Sequence, residues 1–280
     1  MYLVTGANGT VGSQVVAQLL DAGHRVRAYV RSPSKLAAWG DRVDVAVGDY
    51  ETPDAFSAAL EGVEGVFLMN IGSAEAFGVL AARAAQRQVA RAVMLSTTMV
   101  EFLPDTMLGR VHRQKEEILT AAGLDARFVR PTGFMSNSYL WIPSIRADGI
   151  VPNPMGTGRA APVAPEDIAA VAVRALIDPA LRGQALTVTG GETISLPDQV
   201  ALLAQALDRP LRCVDITLDE AVDNLTRAGV PQPIAASIVQ SYEAVKEGRA
   251  ATKTDTVERL LGRQPLRFEQ WLDMHIDRFK

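Results

Sequence analysis

Three glycines, Gly6, Gly9 and Gly12, stand in the run LVTGANGTVG, between the apolar start YLVT and the apolar run VVAQLL. Glycine carries no Cβ, so a turn built on this spacing lets an anion approach the main chain closely. A helix opening directly after the turn offers that anion unpaired N–H groups and the positive end of its dipole. Strand, glycine turn and helix in this order form a cradle for the pyrophosphate of a dinucleotide. Asn8, Thr10 and Val11 would border the phosphates.

The second strand's end indicates which dinucleotide. A carboxylate is expected there, roughly 20 residues past the turn, when the ribose 2′-hydroxyl must be bound. The chain has YVRSPSK instead, with Arg31 at the position and Lys35 four residues on. A planar guanidinium suits a 2′-phosphate through paired, charge-assisted hydrogen bonds. The expected cofactor is therefore NADP(H) in preference to NAD(H), although both cations also suit a solvated surface. Asp49 and Tyr50, after the third strand, are placed to meet the adenine, and Asp49 serves equally well as a helix cap in GDYETPDAF.

These residues need a particular scaffold. YLVTG, RVRAYVR, VDVAVGD, GVFLMN, AVMLST and ARFVRP read as strands, with helices such as TVGSQVVAQLLDAG, DAFSAALEG, AEAFGVLAARAAQRQ and VHRQKEEILTAAG between most of them. Continuously apolar strands alternating with helices imply an α/β fold, a Rossmann-type doubly wound parallel sheet. Met69 and Asn70, Ser96 and Thr97, and Pro131, Thr132, Gly133 and Phe134 follow successive strands and join the expected cofactor contacts. From Thr132 the pattern loosens into a long Gly- and Pro-containing stretch, of the kind that often carries function. EDIAAVAVRALID returns as a helix and ALTVTG as the last strand. Ser195 with Asp198, and Thr217 with Glu220, mark helix starts, a short strand RCVDIT lies between, and FEQWLDMHIDRF closes the chain as an amphipathic helix. The expected organisation is a dinucleotide-binding domain over 1–190, including a substrate-lining segment 132–160, and a smaller, mainly helical lobe over 191–280.

The form T-G-x-x-G-x-x-G resembles the short-chain dehydrogenase/reductase superfamily. That resemblance implies a Ser after the fifth strand and a Tyr four residues before a Lys on the next helix. Ser96 and Lys115 fit, 19 residues apart, but Val111 stands at the Tyr position, and valine transfers no proton. The pieces VRSPSK, GDY, HRQKEEIL, GL, RPTGFMSN and FEQWLDMHIDRF, in this order, are similar to the NmrA-like branch of atypical short-chain dehydrogenases. The resemblance implies an NADP site without the Tyr. Some members reduce quinones with NADPH, others are redox sensors that bind a partner protein, and a third group uses a Lys near the nicotinamide as a base.

The resulting expectation is an NAD(P)H-dependent oxidoreductase that passes hydride to a quinone or similar conjugated carbonyl. Orientation supplies much of the rate, and a reduced quinone oxygen draws its proton even from water. Lys115, His112 and Ser96 are the catalytic candidates. His112 shares a helical face with Lys115 and Glu116, either as proton donor or substrate contact or as a surface histidine paired with Glu116. Ile71, Met135, Asn137, Tyr139 and Trp141 would line the substrate, unless the aromatics simply join the two lobes. The alternative from another class is a non-catalytic NADP(H) sensor, acting as a homodimer or with a protein partner bound to the 191–280 lobe. An epimerase is weakened by the missing Tyr, and a hydrolase lacks a G-x-S-x-G elbow.

Composition bounds the rest. The 280 residues are 48% hydrophobic and 21% charged, a globular balance. A net charge of −4 gives no support to nucleic-acid binding. The lone Cys213 excludes a disulfide framework and fits a reducing compartment. Three scattered histidines and one cysteine suggest no metal site. No apolar run reaches the roughly 18 residues of a membrane span, and no basic leader precedes the first strand, so the expected location is the cytoplasm.

Overall fold

The computed structural model describes residues 1–70 and 72–280, with the backbone alone for Ser34, Lys35, Ala37 and Ala38. Its first part runs β1 (Tyr2–Thr5), α1 (Gly12–Asp21), β2 (Val26–Val30), β3 (Asp44–Val47), α2 (Pro53–Ala59), β4 (Gly65–Leu68), α3 (Ala74–Gln86), β5 (Arg91–Leu95), α4 (Met99–Phe102), α5 (Met107–Ala121) and β6 (Ala126–Pro131). Then come α6 (Ile142–Asp148), β7 (Ile150–Asn153), β8 (Arg159–Ala160), α7 (Pro165–Ile177) and β9 (Ala185–Val188). The remainder is β10 (Ile194–Ser195), α8 (Leu196–Ala206), β11 (Arg212–Asp215), α9 (Leu218–Arg227), α10 (Gln232–Lys246), α11 (Thr256–Leu261) and α12 (Phe268–His275).

Among the described residues the main sheet has seven strands, in the order β3-β2-β1-β4-β5-β6-β9, and every pairing is parallel. The apolar strand runs have a simple cause. Successive side chains leave opposite faces of a strand, and both faces of this sheet are covered. Tyr2 and Val4 join a core with Val15, Val16 and Leu19 of α1 and Ile168 and Ala172 of α7. Leu3, between them, joins the opposite core with Phe56 of α2, Phe77 and Leu80 of α3 and Leu119 of α5. The doubly wound reading of the sequence therefore holds. β3 departs from it: as an edge strand it leaves Val45 and Val47 exposed.

Two sequence expectations are refined. The helix read from Val111 begins at Met107, because Thr106 caps it by accepting from the Gly109 N–H. The stretch after Thr132 is not merely loop. It contains a 3₁₀ turn over Met135–Trp141, α6 and β7. β7 is an internal strand because it pairs in parallel with β11, the RCVDIT strand, a long-range contact that local composition does not reveal. Both expected caps, Ser195 with Asp198 and Thr217 with Glu220, form complete capping boxes.

A second core joins Met135, Ile145 and Val151 to Val200 and Leu203 of α8 and Phe268, Trp271 and Leu272 of α12. Helices α9 and α10 pack on each other around Leu225 and Val239, and α10 reaches α5 through the Ser237 hydroxyl, which accepts from the Leu108 N–H at 3.0 Å. Trp271 is fully buried amid Tyr139, Phe268 and His275. Trp271→Ala should lower the unfolding free energy by about 3–5 kcal/mol, read from urea unfolding, with the cofactor cradle left in place.

Candidate active site

All seven parallel strands point the same way, so the segments after β1 to β6 meet along one edge. The chain passes from β1 to β2 on one side and reaches β4 on the other. Such a switch point opens a crevice beyond the strand ends, where ligands of open α/β sheets bind. Gly6 to Gly12, Arg31, Asp49, Asn70, Ser96, Thr97, Lys115 and Thr132 to Phe134 all belong to this edge or to the helices that leave it.

The glycine turn is tightly built. Gly6 has φ +62, and the Gly9 N–H donates to the Gly6 carbonyl at 2.8 Å. A Cβ on Gly12 would overlap the Gly6 carbonyl oxygen, and one on Gly6 would overlap the Met69 side chain. Helix α1 starts at Gly12 with no side-chain cap and no acidic residue in its first turn. The Ser13 N–H donates to the Gly9 carbonyl at 3.0 Å, and no side chain competes with an anion for the remaining opening N–H groups. Asn8 and Thr10 are exposed on the turn, and Val11 is buried behind it. Past β4, Asn70 Oδ1 is buried with no hydrogen-bond partner among the described residues. A buried acceptor of this kind requires a donor, and the hydroxyls and amide of a dinucleotide supply one. The residues present fit the cofactor class that the sequence implies.

Around the adenosine end the candidates divide. Arg31 is exposed one residue past β2 and forms no ion pair among the described residues; the Lys35 side chain lies outside them. The Asp49 carboxylate accepts from the Glu51 N–H at 3.0 Å and closes a turn before α2. Tyr50 is turned into the core, where its hydroxyl donates to the Met69 carbonyl at 2.8 Å and lies 2.9 Å from Thr5 Oγ1. Burial pushes its phenol far up, so it stays protonated. Tyr50 thus braces the ends of β1 and β4.

Lys115 is 1% exposed. Its ammonium donates to the Gly72 carbonyl at 2.7 Å and stands 5.2 Å from the centre of the Phe77 ring. Burial pushes its pKa down to about 8. One turn earlier, His112 Nδ1 lies 2.8 Å from the Leu108 carbonyl. An oxygen acceptor there places the proton on Nδ1 and leaves Nε2 an acceptor when the ring is neutral. Burial, aided by the Lys115 charge, lowers the His112 pKa and favours that neutral ring. Among the described residues Glu116 forms its ion pair with Arg130, not with His112.

Ser96 faces Glu116, not the open cleft. It is buried, and its hydroxyl donates to Glu116 Oε1 at 2.5 Å. Glu116 is also gripped by Arg130, whose Nε donates to Oε1 at 2.9 Å and whose Nη2 pairs with Oε2. This network was missed at the sequence level; the only available signal was the Arg of ARFVRP inside a strand of a buried sheet. Thr97 is half-buried, and its Oγ1 accepts from the Met99 N–H at 3.3 Å. Thr98 and its hydroxyl donate to the Pro131 carbonyl.

On the substrate side, Thr132, Gly133 and Phe134 are stitched to residues 161–163, and a Cβ on Gly133 would meet open space. Asn137 is exposed. Met135 is buried in the second core, Trp141 packs against it, and Tyr139 stacks with Trp271 and Phe279 under Arg278. The structure thus ties these three to the packing of the lobe. Ile71 lies outside the described residues.

A family model described as NAD(P)H-binding matches residues 6–179. A (4-alkanoyl-5-oxo-2,5-dihydrofuran-3-yl)methyl phosphate reductase of Streptomyces griseus is 39% identical over 100% of this chain and 99% of its own length. An NAD(P)H azoreductase of Xenophilus azovorans is 33% identical over 100% of this chain and 99% of its own. An NADPH-dependent quinone oxidoreductase of Escherichia coli, solved with NADPH, has a TM-score of 0.86 at 21% identity, covering 99% of this chain and 100% of that one.

Two outcomes follow from this geometry. Gly12→Ala should lower stability by about 1–3 kcal/mol and weaken dinucleotide binding measured by calorimetry. Lys115 titrates near 8 when folded and near its ordinary 10.5 when unfolded. Between those values the unfolded chain holds the extra proton, so stability rises with pH across the window. Denaturant unfolding of the wild type should accordingly gain on Lys115→Met between about pH 8 and 10.5.

Proposed function

The chain belongs to the NAD(P)H-binding family, and we propose that it is an NmrA-like atypical short-chain reductase that passes hydride from NADPH to a flat conjugated acceptor, a quinone or an unsaturated carbonyl compound. The observation that carries this reading is the buried Lys115 ammonium beside the strand edge, its pKa lowered to about 8. The relatives support it. An acyl dihydrofuranone, as in the Streptomyces griseus reductase's name, holds a double bond conjugated to carbonyl groups, and an azo bond is likewise flat and electrophilic.

The bound cofactor supplies the hydride. The chain's own residues do the rest. The uncapped start of α1 and the glycine turn hold the pyrophosphate, and Arg31 takes the 2′-phosphate. Asn70 Oδ1 accepts from a cofactor hydroxyl or amide. As hydride reaches the acceptor, negative charge grows on its oxygen. Lys115 sits in a low-dielectric setting where a cation stabilises such charge strongly. With a pKa near working pH it then donates the proton efficiently. Val111 requires no substitute for the missing Tyr, because Lys115 covers both tasks. His112, neutral with a bare Nε2, serves as an acceptor for a substrate hydroxyl. A reducing, NADPH-rich compartment such as the cytoplasm suits this chemistry.

Purified protein should oxidise NADPH with naphthoquinones, benzoquinones or acyl butenolides, and Lys115→Met should lower kcat by about 10²-fold while NADPH affinity is retained. NADPH binding without oxidation by any acceptor would instead support a sensor. Arg31→Ala should weaken NADPH binding about tenfold, the equivalent of about 1.4 kcal/mol, and leave NADH binding unchanged; equal loss for both cofactors removes the 2′-phosphate assignment.

A further inference from the structure

Helix α5 has an unusual inner face. Its buried residues are Gly109, Lys115, Glu116 and Leu119, with Ile118 half-buried against the same core, so two large aliphatic side chains and two charged ones decide how the helix seats. Apolar ridges fix the rotation of most packed helices; here polar contacts must contribute heavily. Glu116 supplies the most directional of them. Its carboxylate receives the Ser96 hydroxyl from the end of β5 and two guanidinium N–H groups of Arg130 from β6. Arg130 is held in turn by Glu101 of α4 at 2.5 Å, and Glu101 accepts from Thr187 Oγ1 of β9 at 3.3 Å. A paired Arg–carboxylate fork fixes orientation as well as distance. An open groove of about 730 Å³, lined in part by Arg113, Glu117 and Phe128, brings solvent to the outer side of this network.

We propose that Glu116 is a positioning residue: clamped by Ser96 and Arg130, it locks α5 in the rotation that keeps the neighbouring Lys115 ammonium buried against the Gly72 carbonyl. Residues i and i+1 on a helix point about 100° apart, so anchoring one sets the direction of the other. The clamp also settles the role of Ser96. A carboxylate is acceptor-only, so Ser96 spends its single proton on Glu116. Its oxygen is left to accept, and Lys115 is the group that donates to the reduced substrate. The inference rests on the reading of Lys115 as the proton donor but is tested without turnover.

The measurement is the rate at which Lys115 reacts with an amine-acylating reagent as a function of pH, followed by peptide mass analysis, with no substrate present. Among the described residues, the titratable groups nearest Lys115 are His112, one turn earlier on its own helix, its chain neighbour Glu116, and Tyr50, which lies against Gly72; α3 contributes the Phe77 ring. His112→Gln serves as a control for the first, and Tyr50 stays protonated over the range. In the wild type the reactivity should titrate near pH 8. In Glu116→Gln, α5 loosens and water reaches the ammonium, so the midpoint should move up by at least about one unit toward the ordinary lysine value. Arg130→Lys, which keeps the charge but loses the fork, should move it the same way, and Glu116→Asp should do so less. The latter two carry the test if Glu116→Gln fails to fold. An unmoved midpoint in folded clamp variants overturns the proposal, even if their activity falls. A midpoint that moves as expected, in a protein that reduces no acceptor, upholds the clamp and defeats the catalytic reading alone.

Discussion

Burying the Lys115 ammonium is the constraint around which the site is organised. An ammonium removed from water loses several kcal/mol of hydration unless other groups compensate. The described residues supply, among other contacts, a carbonyl at 2.7 Å and an aromatic face. The remaining penalty appears as a lowered proton affinity. That is what a proton donor near neutral pH needs, since an ordinary lysine holds its proton too tightly to release it efficiently. On the proposed mechanism, a structural liability and a catalytic asset are the same interaction.

The rest of the edge follows from holding that interaction in place. The Gly72 carbonyl belongs to the loop after β4, and β4 is tied to β1 through Thr5, Tyr50 and Met69. β1 in turn carries the glycine turn, where Gly12 must lie against the Gly6 carbonyl for α1 to present its first N–H groups. The glycine turn after β1 and the carbonyl that receives the ammonium after β4 thus lie at the ends of one strand pair. The other side of Lys115 is fixed from β5 and β6 through Glu116. The core around Trp271 joins Met135, Ile145 and Val151 to α8 and α12, and α10 reaches α5.

Much of this was legible in the sequence where the signal is local. The glycine spacing specifies a tight turn whatever surrounds it, and the capping boxes at Ser195 and Thr217 depend on residues three apart. The apolar strand runs reported a sheet covered on both faces. Lys115 was legible by its interval from Ser96. What escaped depends on partners distant along the chain. β7 is a strand because β11, some 60 residues later, pairs with it. Tyr50 looks like an adenine contact until the strand ends that receive its hydroxyl are in place. Ser96 reads as a catalytic hydroxyl in the sequence, whereas in the structure Glu116, itself held by Arg130, accepts its hydrogen bond. Tyr139 and Trp141 read as a cleft wall, yet α12 supplies their packing partners.

The most direct test of the account is the pH dependence of kcat/KM for a quinone at saturating NADPH. With Lys115 as the donor, the rate should fall above neutrality along a limb centred near pH 8 and follow loss of one proton. A profile that stays flat to pH 10 would contradict the assignment, because Lys115 would then have lost its proton without consequence for the reaction.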